Sequence, residues 1–123
     1  MEKILIVDDN RASRDLIRAI LKTVPCRITE AKHGQEALDQ MRHERPDLIL
    51  LDIDMPGLDG LQVIKKIRED GSLSSLPVMA VTAFAMERDR EKCMAAGFTA
   101  YLTKPVRAAI LRQQVRELLR YRP

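Results

Sequence analysis

Residues 48–52 read Leu48-Ile49-Leu50-Leu51-Asp52, four large aliphatic side chains closed by an acid. A strand with one wet face alternates apolar and polar residues. An unbroken aliphatic run this short instead marks a strand buried on both faces, as in a parallel sheet covered by helices on each side. The stretch Ile4-Leu5-Ile6-Val7-Asp8-Asp9 repeats the pattern near the N-terminus. These two runs, each ending in aspartate, set the frame for the rest of the chain.

Working outward, the period switches repeatedly from strand to helix. Leu16, Ile17, Ile20, Leu21 and Val24 form one apolar stripe, which predicts a helix capped near Asn10 and stopped before Pro25. Arg27 to Ala31 is a weaker strand. Gly34 precedes a helix with Ala37, Leu38 and Met41 inward, ending before Pro46. After Asp52, the turn Asp54-Met55-Pro56-Gly57 and the cap Asp59-Gly60 lead into a helix with Leu61, Ile64 and Ile67 inward. Gly71 to Pro77 is loop, and Val78 to Val81 is a strand ending at Thr82. A helix from about Arg88 to Ala96 meets Gly97 at its C-terminal boundary. Ala100-Tyr101-Leu102 is a short strand ending at Lys104-Pro105. Ile110, Leu111, Val115, Leu118 and Leu119 stripe the last helix. Strands alternating with helices across short turns predict an α/β fold, a doubly wound five-stranded parallel sheet with five helices. Residues 1–123 are expected to form a single domain.

Composition agrees. Hydrophobic residues are 46% and charged residues 32% of the 123, an ordinary balance for a globular chain and a poor one for disorder. No apolar run approaches the ~20 residues of a membrane-spanning helix, and the N-terminus lacks the long apolar core of a signal peptide. A cytoplasmic location is the resulting expectation. Cys26 and Cys93 form no CxxC pair and no ligand cluster, so they read as isolated thiols. The net charge of +3 is uneven: Lys104 to Pro123 carries six basic residues and one acid. With aromatics at 3% and no Trp, direct nucleic-acid binding is not expected.

In open parallel sheets the functional crevice lies beyond the carboxyl ends of the strands. Four of the five predicted strand ends carry polar chemistry: Asp8-Asp9, Asp52, Thr82 and Lys104. Three carboxylates in one crevice repel one another and call for a cation. Hard oxygen ligands suit Mg²⁺, which keeps waters and accepts one or two carboxylates together with phosphate oxygens. A carboxylate nucleophile, a divalent cation, a lysine and a hydroxyl make a phosphoryl-transfer site. His33 and His43, near the ends of the second helix, read as solvated.

In this order and spacing the motifs resemble the response-regulator receiver domain, over the whole chain. They run from Ile4-Leu5-Ile6-Val7-Asp8-Asp9 through Asp52-Ile53-Asp54-Met55-Pro56-Gly57-Leu58-Asp59-Gly60 to Thr82-Ala83 and Lys104-Pro105. The resemblance implies a flavodoxin-like, CheY-like sheet of strand order 2-1-3-4-5. It implies two-component phosphorelay signalling by a switch rather than an enzyme: Asp52 accepts a phosphoryl group from a histidine kinase or histidine phosphotransfer protein. Asp8, Asp9, Asp52 and the backbone carbonyl of Asp54 would hold Mg²⁺, with Mn²⁺ as a substitute. Thr82 and Lys104 would stabilise the phosphoryl group, Thr82 and Tyr101 would form the switch, and Lys104-Pro105 would be a cis peptide. Asp54 and Phe84 would line the mouth of the site. A downstream protein would dock on the fourth helix, fifth strand and fifth helix. The stretch Val81 to Met86 is similar to stand-alone regulators of the DivK type, while Arg90 to Gly97 also resembles receivers fused to hybrid histidine kinases.

Two other classes fit less well. Asp52-Ile53-Asp54 is similar to the DxD pair of haloacid-dehalogenase-type phosphatases. That family places the pair on its first strand, in a larger domain, with its metal-binding acids downstream. A flavin site would need backbone N–H groups after the first strand, where this chain has Asp8-Asp9-Asn10, and neither GxGxxG nor GxxxxGK occurs.

Overall fold

The computed structural model describes residues 1–83 and 85–120. In chain order these form β1 (Glu2–Val7), α1 (Arg11–Ile20), a 3₁₀ turn (Leu21–Thr23), β2 (Cys26–Ala31), α2 (Gly34–His43) and β3 (Leu48–Leu51). Then follow α3 (Gly60–Glu69), β4 (Val78–Thr82), α4 (Glu87–Ala96), β5 (Ala100–Thr103) and α5 (Ala108–Arg120). All strand pairs are parallel and the sheet order is β2-β1-β3-β4-β5, the expected one.

The aliphatic runs behave as their composition dictates. Leu5, Val7, Ile49, Leu51, Val78 and Ala80 point to one face, into a core completed by α2, α3 and Cys93 of α4. Ile4, Ile6, Leu48, Leu50, Met79 and Val81 point to the other, into a core completed by α1 and α5. Each fully buried Leu or Ile contributes about 1.5–3 kcal/mol by leaving water, so the central strands anchor the fold.

Local signals set the element ends. Asn10 caps α1 by accepting from the Ser13 N–H at 2.9 Å. Asp59 and Gln62 form a reciprocal capping box at α3. Gly97 closes α4 in the left-handed region at φ 114°, where a side chain is strained. His33, read as solvated from sequence, has a local role: its Nδ1 accepts the Glu36 N–H at 3.3 Å and caps α2.

Some stripe residues turn outward. Leu16 is 49% exposed and Ile110 38%, because Arg14 takes the inward position on α1 and Leu111 on α5. The stripe also breaks at Ile20, where the chain tightens into the 3₁₀ turn and carries Leu21 and Val24 into the core separately.

Arg68 of α3 ties the amino-terminal end of the sheet. Its guanidinium donates to the carbonyls of Gly97 (2.9 Å), Ser74 (3.0 Å) and Leu76 (2.6 Å), and to Thr99 Oγ1 (3.3 Å). The loops before β4 and β5 are thus held by one side chain. Burial lowers the Arg68 pKa, and no carboxylate pairs with it among the described residues.

Candidate functional site

The sheet order reverses at β1, whose neighbours are β2 on one side and β3 on the other. That split opens a crevice above the carboxyl ends of β1 and β3. Asp8 and Asp9 follow β1 directly and Asp52 follows β3 directly. Val7 pairs with Leu51, and the Asp52 N–H donates to Val7 O at 2.9 Å, so the two acidic turns sit side by side. Carboxylate oxygens of Asp8, Asp9 and Asp52 all lie within 4.8 Å of one another. Asp8 and Asp52 are buried, while Asp9 is exposed.

Lys104, at the end of β5, reaches across the cluster. Its Nζ is 3.0 Å from Asp8 Oδ2 and 3.7 Å from Asp52 Oδ2. Its backbone N–H donates to Thr82 O at 2.8 Å, which draws the ends of β4 and β5 together. The Lys104–Pro105 peptide is cis. Thr82 is completely buried. The Asp54 side chain is exposed beside the site, and its N–H donates to Asp52 Oδ1 at 3.2 Å. Tyr101 is half-buried against the core cluster on the α2–α3–α4 side. Phe84 lies outside the described residues.

The electrostatics follow from burial. Desolvation, with the neighbouring Asp8 charge second, pushes the Asp52 pKa up to about 6. At pH 7 roughly nine in ten Asp52 side chains are therefore still ionised. Burial also works against the Lys104 ammonium. The hydrogen bond to Asp8 and the charges of Asp52 and Asp8 outweigh it and raise the Lys104 pKa. One lysine faces three carboxylates, so the site carries surplus negative charge. Its donors are hard oxygens alone, which fits Mg²⁺ and not a soft metal.

Gly60 matters to this geometry. A Cβ there would lie 2.6 Å from the Ile53 Cα and 2.7 Å from the Asp52 carbonyl oxygen. The start of α3 therefore presses directly on the peptide that presents Asp52, and only glycine leaves the room. A roomier groove of about 640 Å³ lies elsewhere, against β2 and α2 beside Lys3, Thr29 and His43. The acid cluster, not that groove, gathers the reactive chemistry.

The sequence and the fold of this chain are shared with known proteins. The sequence profile of the response regulator receiver domain matches residues 4–116. The chain belongs to this family. The polar-differentiation response regulator DivK of Brucella anthropi is 41% identical over 105 residues, 85% of each chain. A putative response regulator from Chloroflexus aurantiacus has 28% identity and a TM-score of 0.93, covering 98% of both chains. The receiver domain of a Pseudomonas aeruginosa sensor histidine kinase, with a magnesium ion coordinated in its active-site cleft, has 34% identity and a TM-score of 0.88. That match covers 96% of this chain and 97% of that one.

The protein is thus a receiver domain of two-component signalling, a switch rather than a classical enzyme. Receiver domains bind Mg²⁺ at an acidic cluster and interact with histidine kinases and downstream effectors. Among the described residues no helix is long and apolar enough to cross a membrane.

Proposed function

We propose that Asp52 is the phosphoryl acceptor, and that the group arrives from a histidine kinase or histidine phosphotransfer protein. The observation that carries this is the placement of Asp52. It is 6% exposed, flanked by Asp8 and Asp9, and 3.7 Å from the Lys104 ammonium.

An Asp52 carboxylate oxygen attacks phosphorus as the bond from phosphorus to the donor imidazole nitrogen breaks, and the imidazole takes its proton from water. Asp8, Asp9, Asp52 and the Asp54 carbonyl would hold Mg²⁺, and Mn²⁺ would suit the same hard donors. A cation held there would supply charge neutralisation on the transferring oxygens. Lys104 already spans Asp8 and Asp52, so its ammonium can swing to a phosphoryl oxygen with little travel. Thr82 offers its hydroxyl from the neighbouring strand end, and Tyr101 on β5 responds to that movement. Asp54, exposed beside Asp52, lines the approach of water.

The downstream partner docks on α4, β5 and α5. Met94 on α4 and Ile110 on α5 are 37% and 38% exposed there. Arg116 and Arg120 are exposed on α5, whereas Arg112 is engaged, donating to Ile20 O at 3.3 Å. Likeness to DivK over 85% of both chains favours a response regulator of that type over a hybrid-kinase receiver. In this reading the protein and its partners work in the cytoplasm.

Intact mass spectrometry tests the acceptor. With an acyl phosphate and Mg²⁺, the wild type gains one phosphoryl group and Asp52→Asn gains none. One group added to both proteins would move the acceptor elsewhere.

A further inference from the structure

Arg14 lies on the buried face of α1, only 7% exposed. A guanidinium taken out of water costs several kcal/mol unless its charge and donors are met. Both are met here. Its Nε donates to Glu30 Oε1 at 2.9 Å, and its Nη1 donates to the main-chain carbonyl of Asp8 at 2.8 Å. Glu30 stands on β2 opposite Ile6, and its other carboxylate oxygen accepts from Arg18 at 2.6 Å. A tie therefore runs from β2 through α1 to the peptide joining Asp8 to Asp9.

That peptide carries two of the three carboxylates of the cluster, which repel Asp52 and each other. The repulsion works against the convergence of the turn after β1 on Asp52. Other contacts at Asp8 are already assigned. Its N–H donates to Ala31 O at 3.2 Å, and its carboxylate accepts from Asn10 N at 2.9 Å and Lys104 Nζ at 3.0 Å. The carbonyl is the acceptor on this peptide, and Arg14 holds it.

We propose that Arg14, oriented by Glu30, is a positioning residue for the cation site, fixing the Asp8–Asp9 peptide so that both carboxylates converge with that of Asp52. The proposal rests on the reading of the acidic cluster as a Mg²⁺ site. Glu30 balances the Arg14 charge, so loss of Arg14 acts through geometry more than through the field at the cluster. Groups that orient metal ligands without touching the metal typically change affinity by about 10–100-fold when removed.

The test is a MgCl₂ titration of the full chain, followed by backbone amide shifts, under conditions where every variant is folded. Arg14→Met should bind Mg²⁺ about tenfold more weakly than the wild type, at the low end of that range. Glu30→Gln leaves the carbonyl bond but loosens its donor, and should bind roughly threefold more weakly. Arg14→Lys, which keeps the charge and one donor, should bind more tightly than Arg14→Met. Arg68→Met loosens the opposite end of the fold and should bind like the wild type. If Arg14→Met fails to fold, Glu30→Gln carries the test alone. Wild-type affinity in Arg14→Met or Glu30→Gln, while Asp9→Ala abolishes binding, overturns the positioning role and leaves the site reading intact. An equal loss in Arg68→Met would assign the effect to general loosening and also overturn it. Unchanged binding in Asp9→Ala would instead overturn the Mg²⁺ site itself.

Discussion

Arg14 and Arg68 hold opposite ends of the same sheet, and they do so with different chemistry. Arg14 pairs with a carboxylate, Glu30, and spends one donor on the Asp8 carbonyl beside the acidic cluster. Arg68 has no carboxylate partner among the described residues and satisfies its donors with three carbonyls and a hydroxyl. Each end of the sheet therefore keeps uncompensated charge, negative above and positive below. The negative surplus includes the exposed Asp9 and fits a cation. The positive one is closed off by backbone. The difference separates a region built to receive something from a region built only to hold.

The largest effect should come from breaking the closed end. Arg68→Met leaves carbonyls of two loops without their donor, and hydrogen bonds to charged groups are each worth about 1.5–3 kcal/mol. A loss of about 3 kcal/mol in urea unfolding is expected after partial rescue by water. A loss under ~1 kcal/mol would mean the loops are held by other contacts.

The next effect has the opposite sign and sits at the open end. Asp52 has its folded pKa raised, so the native state binds its proton more tightly than the unfolded chain does. That favourable contribution is complete below the unfolded value of 3.8 and is lost as pH rises to about 6. At pH 7 the metal-free protein thus bears a destabilising carboxylate. Asp52→Asn should stabilise it by about 2 kcal/mol, an advantage that vanishes near pH 4. Equal stability of the two proteins at pH 7 without Mg²⁺ would show that the cluster is not strained.

Glu30 titrates the other way. The desolvation that opposes its charge is outweighed by Arg18 and Arg14, so its pKa is lowered. Its stabilisation is present above the unfolded value of 4.5 and is lost as pH falls through the lower folded value. Glu30→Gln should cost about 1 kcal/mol at pH 7 and progressively less in acid. A pH-independent difference would point to packing rather than charge.

The smallest effect is expected where an arginine lies on neither tie. Arg112→Ala removes a 3.3 Å bond to Ile20 O at the end of α1, and should cost no more than about 0.5 kcal/mol in the same urea experiment. A cost matching that of Arg68→Met would erase the distinction between structural and incidental arginines.

The strands were the most legible part of the sequence, because burial on both faces leaves an unbroken aliphatic run that few other elements produce. The acids closing Ile4–Val7 and Leu48–Leu51, with Thr82 and Lys104, then announced the crevice, since a parallel sheet brings its carboxyl ends together. Leu16 and Ile110 misled, because an apolar stripe wider than the contact area leaves some of its members in water. Arg14 and Arg68 were invisible for a different reason. Their partners stand far away in sequence, at Glu30 and at Gly97 and Thr99, and no local period reports such a pairing. One clue was present: Arg14, Ile17 and Leu21 share the spacing of a buried face, so a charge on that face had to be answered somewhere.

Gly60 adds a mechanical consequence. The first turn of α3 bears on the Asp52 carbonyl and the Ile53 backbone with no clearance, and the Asp52 N–H is pinned to Val7. On those two sides Asp52 stands against a wall. Bulk and charge added at its tip cannot be relieved by retreat of the main chain toward β1 or α3. On the protein side, relief lies instead toward Lys104 at the end of β5, whose Nζ is 3.7 Å from Asp52 Oδ2. On the proposed reading of Asp52 as the acceptor, a message written there is given a direction before any partner reads it.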